Sequence, residues 1–487
     1  MAYRRIELGE HQIRGLEHMR GLRYSANLSQ FGCGKSYTLS HRLLDLVPPR
    51  RALIVSTSAM VGTRQSPGAW YRTLKATNPW WNINILTGRR EDRRKALYAP
   101  HHIGMINYEG VLVLGQELID EGRYQVLGLD EVHRLKGASS SISRAMAAMA
   151  KTADYVYGLT GSPVLESPID LYGIYRSIYP PMFGDDFYEW RSLYFEYRSE
   201  EDEDGHRTYP RWLPKDGAME ILAAAVQAIS FRVTHDELPW NFPKEVEVEP
   251  IYVDIGSKVR SVYNEIMEET SIALKSGTIT AEFIRPKLLK MMQLCSGWIY
   301  DDKHRAITVG PCEKAVAFAD TISQIRGHPF VVWAVSPPDM TILARTLDKF
   351  KWVKYGTIYG ATPAGDRADI LAAFNAGKIN GLIAHPQCVG EGVDLESQYD
   401  FRFSRTWSAN QYSQSRGRCR RANSSRDRVF YADFISQDTI DETIHFALLK
   451  KLSYLSLLLK HADFSKVHDA VDIEEPAPPT SEDEILE

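Results

Sequence analysis

The stretch "QFGCGKSY", residues 30–37, places two glycines just before a lysine and a serine. Gly32 and Gly34 would let the backbone pass close to a polyphosphate and turn its N–H groups inward. Lys35 would then reach the β- and γ-phosphates of a nucleotide, and the Ser36 hydroxyl would ligate Mg²⁺. The stretch therefore predicts a phosphate-binding loop between a strand and a helix.

Two residues of this stretch keep an alternative open. Ser29 takes the place of the first glycine in the usual G-x-x-x-x-G-K-[ST] pattern, and Cys33 fits between the glycines as a small residue. Taken alone, the stretch is equally a flexible turn that ends in Lys-Ser. A nucleotide site also needs a strand that carries a magnesium-binding aspartate at its end.

The segment "YQVLGLDEVH", residues 124–133, supplies that strand. Its short apolar run, bounded by polar residues, is typical of a buried parallel strand, and the end of such a strand is where α/β sheets carry their chemistry. Asp130 would hold Mg²⁺, partly through water, and Glu131 would orient and deprotonate the attacking water. Paired acids at a strand end also occur in solvated turns, but together with the upstream loop they predict a nucleotide-hydrolysing site.

Length and composition limit the class of protein. The 487 residues predict two or three domains, and the 44% hydrophobic and 25% charged content is ordinary for a globular chain. The net charge of −4 places any nucleic-acid site in a local patch. Five scattered cysteines predict a reducing compartment and no structural zinc. Because no signal peptide or bilayer-spanning run is evident, we expect a cytoplasmic protein without a membrane partner.

Hydrophobic patterning divides the chain into four parts. Strand-like runs alternate with helical segments in residues 1–165 and again in residues 311–460, which predicts an α/β fold with two parallel-sheet domains in tandem. Residues 166–310 are aromatic-rich and more helical, and they predict a helical insertion with connecting segments. Residues 461–487 are predicted to form an acidic mobile tail, because the stretch 469–487 is acidic, contains prolines and has no lysine or arginine.

A second group of polar residues lies in the later sheet domain. The glycine-rich turn "HPQCVGEGVDLE" precedes "NQYSQSRGRCRRAN", in which Gln414, Arg418 and Arg421 would share one helical face. An arginine on that face could reach a γ-phosphate held by the first domain and stabilise charge in the transition state. A solvated basic helix is the alternative, but it does not account for the neighbouring glycine turn and glutamine.

The motifs, in this order, resemble those of superfamily 2 helicases of the DEAH type, and more closely the Swi/Snf-like group of DNA translocases. The resemblance covers about residues 8–450. Its motifs are "LGEHQIRGLEHM", "SQFGCGKS", "INYEG", "LDEVHRLKG", "LTGSPVLESPIDLYGIYRSIYP", "FRVTHDELPWNFPKEVEVEPIYVDI", "LLKMMQLCSGWIY", "GATPAGDRADILAAFN", "VGEGVDLE" and "QYSQSRGRCRR".

The resemblance implies two RecA-like domains that hold ATP and Mg²⁺ on one side of a cleft and DNA on the other. Gln12 would recognise adenine, Asp394 would lie near the ribose, and Gln414, Arg418 and Arg421 would complete the ATP site. Residues implied to contact DNA or to couple it to the nucleotide are Tyr108, His133, Thr160, Ser162, Gly360, Thr362 and Gly392.

The chain departs from the family pattern at several positions. Ser29-Gln30 stands where the group has an acidic pair, Arg420 stands where a histidine is frequent, and Asn423-Ser424 replaces glycine-glutamine. No accessory module for reading histones is evident. A compact phage or bacterial enzyme therefore fits better than a chromatin remodeller.

The function predicted from these resemblances is ATP-driven movement on duplex, single-stranded or branched DNA in replication, recombination or repair. Binding would be independent of sequence, because phosphate contacts would dominate it. The protein would act as a monomer or with replication and recombination proteins. Alternatives are a motor that displaces proteins without separating strands, an RNA helicase, and an inactive DNA-binding scaffold.

Overall fold

The computed structural model describes residues 7–120, 124–161, 167–198, 211–240, 242–275, 281–389, 393–420 and 424–459. Within these ranges the chain divides into two units, one formed by the residues up to Trp240 together with residues 451–459, and the other by residues 242–450. The predicted middle segment is thus shared between the two units, and the four-part division stays a prediction. Predicted features that lie outside the described residues are Ser162, Gly392, Arg421 and the acidic tail 461–487.

The first unit alternates strands with helices over most of its length. Its strands are β1 (Tyr24–Asn27), β2 (Ala52–Ser56), β3 (Ile83–Ile85), β4 (Ile103–Asn107), β5 (Val126–Asp130), β6 (Tyr155–Leu159), β7 (Phe195–Arg198), β8 (Arg211–Pro214) and β9 (Ser230–Phe231). Its helices are α1 (Glu10–Gly21), α2 (Lys35–Leu46), α3 (Ser58–Val61), α4 (Ala69–Thr77), α5 (Arg90–Tyr98), α6 (Tyr108–Leu114), α7 (Gln116–Asp120), α8 (Ser141–Thr152), α9 (Asp170–Ile178), α10 (Phe187–Tyr194) and α11 (Ala218–Ala228). Short 3-10 turns follow β5 and β9, at Val132–Leu135 and His235–Glu237.

A seven-stranded sheet forms the centre of the first unit, in the order β3-β4-β2-β5-β6-β1-β9. Its neighbouring strands pair in parallel. Every residue of β5 is buried, because β2 and β6 flank the strand and helices cover the sheet. The carboxyl ends of parallel strands meet at one edge, so the fold brings the loop after β1 close to the residues that end β2 and β5.

The second unit repeats this alternation. Its strands are β10 (Lys244–Glu247), β11 (Ile251–Val253), β12 (Trp298–Tyr300), β13 (Ala306–Thr308), β14 (Phe330–Trp333), β15 (Tyr355–Ile358), β16 (Gly381–Ala384), β17 (Tyr399–Arg402) and β18 (Arg428–Ser436). Its helices are α12 (Ser257–Lys275), α13 (Ala281–Leu294), α14 (Glu313–Gln324), α15 (Pro337–Leu347), α16 (Ala364–Asn375) and α17 (Ala409–Gly417), and α18 (Ile440–Leu459) begins in this unit. The main sheet has the order β10-β18-β17-β14-β16-β15, with β11 also pairing with β18, and its neighbouring strands pair in parallel.

Aromatic packing holds helix α14 on the second sheet. Phe318 is fully buried and meets the rings of Phe330, Phe401, Phe403 and Phe434 edge to face, at centroid distances of 5.7–6.4 Å. Such pairs add to the stabilisation that burial of the rings provides. One helix thereby contacts strands β14, β17 and β18 together.

A network of charges is buried beside this core. Lys314 Nζ lies 3.0 Å from Asp441 Oδ2, and Arg405 Nη1 lies 3.6 Å from Asp441 Oδ1. His445 Nδ1 lies 3.0 Å from Asp433 Oδ2. All five side chains are buried. Because a buried charge without a counter-charge is costly, each member depends on its neighbours.

The predicted α/β fold with two parallel-sheet domains is confirmed. The strand-like runs of the two halves form β2, β4, β5, β6 and β14 to β18. The middle segment contains the predicted helices and also strands β7 to β13. Within the described ranges, no helix combines the length and apolar character needed to cross a bilayer.

Candidate nucleotide-binding site

Two glycines shape the loop between β1 and α2. Gly32 (φ 79°) and Gly34 (φ 73°) both adopt left-handed conformations, which side chains disfavour. A Cβ at Gly34 would also collide with the amide of Gln12. Helix α2 begins at Lys35, and Gly34 has no side chain that could cap its first N–H groups. These N–H groups at the start of a 12-residue helix form a site suited to an anion.

Gln12, predicted to recognise adenine, is buried against this loop. Its Oε1 accepts a hydrogen bond from Gly9 N at 2.9 Å, and its Nε2 donates to the Gly34 carbonyl at 3.4 Å. The neighbouring His11 Nε2 lies 3.1 Å from the Cys33 carbonyl. Helix α1 therefore holds the second half of the loop through two side chains.

Lys35 lies inside the loop and is partly buried. Its Nζ donates to the carbonyls of Ser29 at 2.8 Å and Gln30 at 3.1 Å. Burial lowers the pKa of Lys35, while the charges of Glu131 and Asp130 oppose that shift. The sheet has thus brought the lysine of one motif within electrostatic range of both acids of the other.

Asp130 ends strand β5 and is held by three donors. Its Oδ2 accepts from Ser56 Oγ at 2.8 Å and from Trp70 Nε1 at 2.6 Å, and its main-chain carbonyl accepts from the Tyr108 hydroxyl at 2.7 Å. Both side-chain donors bind the same oxygen, which fixes the carboxylate and leaves Oδ1 available to a ligand. Burial, with the charge of Glu131, raises the pKa of Asp130 to about 6.

Glu131 follows in a left-handed backbone conformation, φ 54°, which is uncommon outside glycine. His133 Nδ1 lies 3.3 Å from Glu131 Oε2, and the Thr160 hydroxyl donates to the same oxygen at 3.4 Å. His133 Nδ1 also lies 3.1 Å from Thr160 Oγ1. Burial alone would raise the pKa of Glu131, but His133 and Lys35 outweigh it and lower the pKa. Glu131 is therefore kept ionised, as a base must be.

The residues present fit ATP and Mg²⁺. In the described part of the chain, no cluster of three or more His, Cys, Asp or Glu is arranged to hold a metal ion. A magnesium ion bound with a nucleotide needs only one or two protein groups, because phosphates and water supply the other ligands. Ser36, the partly buried second residue of α2, and Asp130 Oδ1 would be those groups.

Trp70 and Ser56 are residues that the sequence analysis missed. A buried indole N–H requires an acceptor, but the partner of Trp70 lies 60 positions away in the sequence and could not be identified from local pattern. Ser56 could have been predicted from the sequence, because it ends β2 beside β5 and polar residues at neighbouring strand ends face the same site.

We expect Trp70→Phe to raise the Mg²⁺ concentration needed for half-maximal ATP turnover by about tenfold, the scale found for partners of metal ligands. The change removes one donor to Asp130 Oδ2 and keeps an aromatic ring in place. Turnover measured against Mg²⁺ at saturating ATP tests the expectation.

The matched control is Trp81→Phe. Trp81 is equally buried, and its Nε1 donates to the Val47 carbonyl at 3.1 Å. This variant should lose similar stability without changing the Mg²⁺ requirement. An equal Mg²⁺ requirement in both variants would show that Trp70 does not orient Asp130 for Mg²⁺ binding.

In the second unit, helix α17 ends earlier than the predicted face requires. Gln414 lies on the helix, but the helix stops at Gly417, and Arg418 is the residue that caps it. Arg418 is buried, with Nη1 donating to the Val393 carbonyl at 3.3 Å and its own carbonyl accepting from Leu395 N at 2.8 Å. A glycine followed by these tertiary bonds ends the helix.

The other described arginines of this segment pair with strand β10. Arg416 forms ion pairs with Glu247 and Glu245, and Arg420 Nη1 lies 3.0 Å from Glu245 Oε1. Asp394 is exposed, and its carbonyl accepts from Asn375 Nδ2 at 2.8 Å. The structure thus brings the glycine-rich turn and the end of α17 together in one unit.

The predicted DNA-contacting residues Gly360 and Thr362 form a turn before α16. Thr362 Oγ1 accepts from Tyr359 N at 3.1 Å, and Arg367 donates to the Gly360 carbonyl at 2.9 Å and to the Thr362 carbonyl at 2.7 Å. Pro363 is the N-cap residue of α16, so Thr362 lies one position before the cap. Its hydroxyl organises the turn.

Comparison with protein families gives two matches along the chain. The SNF2-related domain matches residues 61–297, and the helicase conserved C-terminal domain matches residues 311–423. The loop at residues 28–36 precedes the first match, so its assignment depends on the geometry described above.

Individual relatives come from phage, yeast and a bacterium. Protein p41 of Acyrthosiphon pisum secondary endosymbiont phage 1 is 25% identical, over 78% of this chain and 82% of that protein. The nuclear protein STH1/NPS1 of Saccharomyces cerevisiae is 20% identical over 96% of this chain, and an uncharacterized ATP-dependent helicase of Mycoplasma pneumoniae is 20% identical over 90%. This chain spans only 36% and 41% of the length of those two proteins.

Among solved structures, the chain is similar to the Sulfolobus solfataricus SWI2/SNF2 ATPase core in complex with dsDNA. The match covers 99% of this chain and 97% of that one, at 18% identity and a TM-score of 0.41.

Proposed function

Because the chain belongs to the Swi/Snf-like group of superfamily 2 helicases, which are DNA-dependent ATPases, we propose that it couples ATP hydrolysis at the β1–α2 loop to movement on DNA. The observation that carries the proposal is the convergence of Lys35, Asp130 and Glu131. These residues come from two distant motifs and lie at the same edge of one parallel sheet, and they are the types of group that phosphoryl transfer uses.

Each group of the first unit has a chemical role in this proposal. The N–H groups at the start of α2 and Lys35 would bind the phosphates, while Ser36 and Asp130 would hold Mg²⁺. The metal ion would neutralise charge on the phosphates. Glu131 takes a proton from the water that attacks the γ-phosphorus. Gln12, whose amide contacts Gly9 and Gly34, would contact the base once a nucleotide binds.

His133 and Thr160 would couple the state of the nucleotide site to DNA binding. They contact Glu131 and each other, so a change in the position of Glu131 must alter both contacts. Thr160 directly follows β6, in the segment that the family resemblance links to DNA. We propose that this pair couples DNA binding to the base, with Tyr108 linking the "INYEG" segment to Asp130.

The second unit would complete the catalytic site with Gln414, Arg418 and Arg421. Arg418 supports the glycine-rich turn through Val393, and Asp394 lies in the same turn. An arginine from this segment would stabilise the charge that develops on the transferred phosphoryl group. If DNA favours the conformation in which that arginine reaches the phosphoryl group, DNA should stimulate ATP turnover.

The biological setting we propose is remodelling of duplex or branched DNA during replication, recombination or repair. The phage relative, which is matched over most of its length, supports a compact enzyme of this kind. DNA contacts should be made to phosphates, so affinity should be independent of sequence and should fall steeply with salt.

The test compares ATP turnover without nucleic acid and with single-stranded DNA, duplex DNA, forked DNA and single-stranded RNA. We expect duplex or forked DNA to stimulate turnover most. Strand separation and displacement of streptavidin from biotinylated duplex, measured in parallel, distinguish a helicase from a motor that only clears proteins. Equal ATP turnover with and without every nucleic acid would contradict the proposal. Stronger stimulation by RNA than by DNA would show that RNA, not DNA, is the substrate.

We expect Thr362→Ala to weaken binding to every DNA sequence alike by roughly two- to fivefold, the value of one hydrogen bond. Loss of the hydroxyl removes the bond to Tyr359 N and loosens the turn that would hold a phosphate. Fluorescence anisotropy across a salt titration, on duplex and single strand, measures the effect.

Thr362→Ser retains the hydroxyl and serves as the control for this turn. ATP affinity without DNA should be unchanged in both variants. If Thr362→Ala binds both DNA forms as tightly as the parent protein at every salt concentration, this turn does not contact DNA.

A further inference from the structure

A segment of the first unit runs alongside the outer side of the nucleotide loop. Strand β9 pairs in parallel with β1 at the edge of the sheet. The pairing continues beyond both strands, because Leu28 N donates to the Phe231 carbonyl at 2.8 Å and Gln30 N donates to the Val233 carbonyl at 3.0 Å. Residues 231–235, which we term the bracing segment, therefore support the first half of the loop.

Three side-chain contacts fasten the bracing segment to the loop. Val233 N donates to Ser29 Oγ at 3.1 Å, and His235 N donates to Gln30 Oε1 at 2.6 Å. His235 Nε2 lies 2.6 Å from the Phe31 carbonyl oxygen, which can only accept, so the ring donates. Ser29 and Gln30 thus both contact the bracing segment through their side chains.

The bracing segment also determines where Lys35 lies. The two carbonyls that accept from Lys35 Nζ belong to Ser29 and Gln30, whose side chains are fastened to the bracing segment. Any loosening of those side chains would disorder the carbonyls and the lysine together. Ordering the loop again would then cost part of the nucleotide's binding free energy.

The same segment leads directly out of the first unit. Trp240, which precedes the first crossing of the chain into the second unit, lies five positions after His235 and meets His11 edge to face at 5.0 Å. His11 in turn contacts the Cys33 carbonyl. The chain that leaves the unit is thus fastened to the loop at Gln30, Phe31 and Cys33.

We infer that Gln30 and His235 are positioning residues that pre-organise the loop for ATP and tie it to the chain crossing to the second unit. This inference rests on the proposed use of residues 29–36 as the ATP-binding loop. A nucleotide that orders the loop also orders the bracing segment. The conformation of the chain that leads to the second unit therefore depends on whether ATP is bound.

The kinetic test uses the full chain with Gln30→Ala and His235→Ala. Each removes one contact, so the KM for ATP should rise about five- to tenfold. The kcat should stay within about twofold, because pre-organisation of the loop affects substrate and transition state alike. Gln30→Glu retains an acceptor for His235 N and His235→Gln retains a donor, so both should restore a near-parental KM.

Gln116→Ala is the matched control, since it removes an exposed hydrogen bond to Asp120 from the same unit. Its KM should equal that of the parent protein. A Gln30→Ala variant with a parental KM would overturn the inference, as would a Gln30→Glu variant that fails to restore it.

Hydrogen–deuterium exchange supplies a readout that a purely structural role would not change. In the parent protein, a non-hydrolysable ATP analogue should slow exchange in the peptide that covers residues 229–240 as well as in the loop. In Gln30→Ala the loop should still be protected by saturating nucleotide, while the protection of the bracing segment is lost. Protection of the loop alone in the parent protein would overturn the coupling.

Lys35→Ala separates this inference from the assignment on which it rests. If Lys35→Ala binds the analogue as tightly as the parent protein, residues 29–36 are not the ATP-binding loop. If Lys35→Ala loses binding while Gln30→Ala is unaffected, the loop is correctly assigned and only the bracing role fails.

Discussion

A Glu131→Gln variant is expected to bind ATP and Mg²⁺ with near-parental affinity and to lose about 10²- to 10⁴-fold in kcat, the contribution of a general base. The glutamine amide has nearly the same shape, but it cannot take a proton from the attacking water. In the parent protein His133 and Lys35 lower the pKa of Glu131, so the carboxylate is ionised at neutral pH. Single-turnover hydrolysis and binding of a fluorescent nucleotide measure the two effects separately.

The control for this change is Glu117→Gln, which alters a carboxylate of the same unit that pairs with Arg94. Its turnover should be unchanged. Normal turnover in Glu131→Gln would exclude Glu131 as the base. Lost turnover together with lost ATP binding would show that Glu131 acts in binding or folding instead.

An Arg421→Ala variant is expected to bind ATP nearly normally and to lose about 10³-fold in DNA-stimulated turnover, the scale of an arginine that stabilises the phosphoryl-transfer transition state. This expectation follows from the family pattern in "QYSQSRGRCRR", because Arg421 lies outside the described residues. Turnover at saturating DNA, with ATP affinity measured in parallel, provides the test.

The neighbouring arginines give two comparisons. Arg420 pairs with Glu245, so Arg420→Ala should cost little turnover. Arg418 supports Val393 in the glycine-rich turn, so Arg418→Ala should also lower the stability of the second unit. Unchanged turnover in Arg421→Ala combined with a large loss in Arg418→Ala would move the catalytic role to Arg418.

The fold was accessible from the sequence because buried parallel strands are continuous apolar runs. "YQVLGLDE" and "RALIVSTS" each form a central strand, and the polar residue that follows an apolar run marks the functional edge of the sheet. The loop, Lys35 and the acids Asp130 and Glu131 were predicted on the same grounds. Their roles stay predictions, and the observation is that the loop and the two acids lie at the same edge of one parallel sheet.

Contacts between segments that are distant in the chain could not be predicted from the sequence. The orientation of Asp130 by Trp70, and the fastening of Gln30 by His235, join residues 60 and 205 positions apart. Neither is encoded in a local spacing. The end of α17 was also missed, since the tertiary hydrogen bonds of Arg418 to the glycine-rich turn compete with continuation of the helix. Helix boundaries set by tertiary partners cannot be derived from periodicity alone.

The buried charges of the second unit make the stability of that unit sensitive to acid. Burial alone would raise the pKa of Asp433 and Asp441, but Arg405 beside the first and Lys314 beside the second outweigh it, so both pKa values are lowered. Unfolded aspartate has a pKa of about 3.9, so the stability that these carboxylates contribute is complete above that pH. It is lost as the pH falls through the folded values. Between neutral pH and about pH 5, these two carboxylates should therefore have little effect on the midpoint of thermal unfolding of this unit. Below about pH 4 the midpoint should decrease steeply.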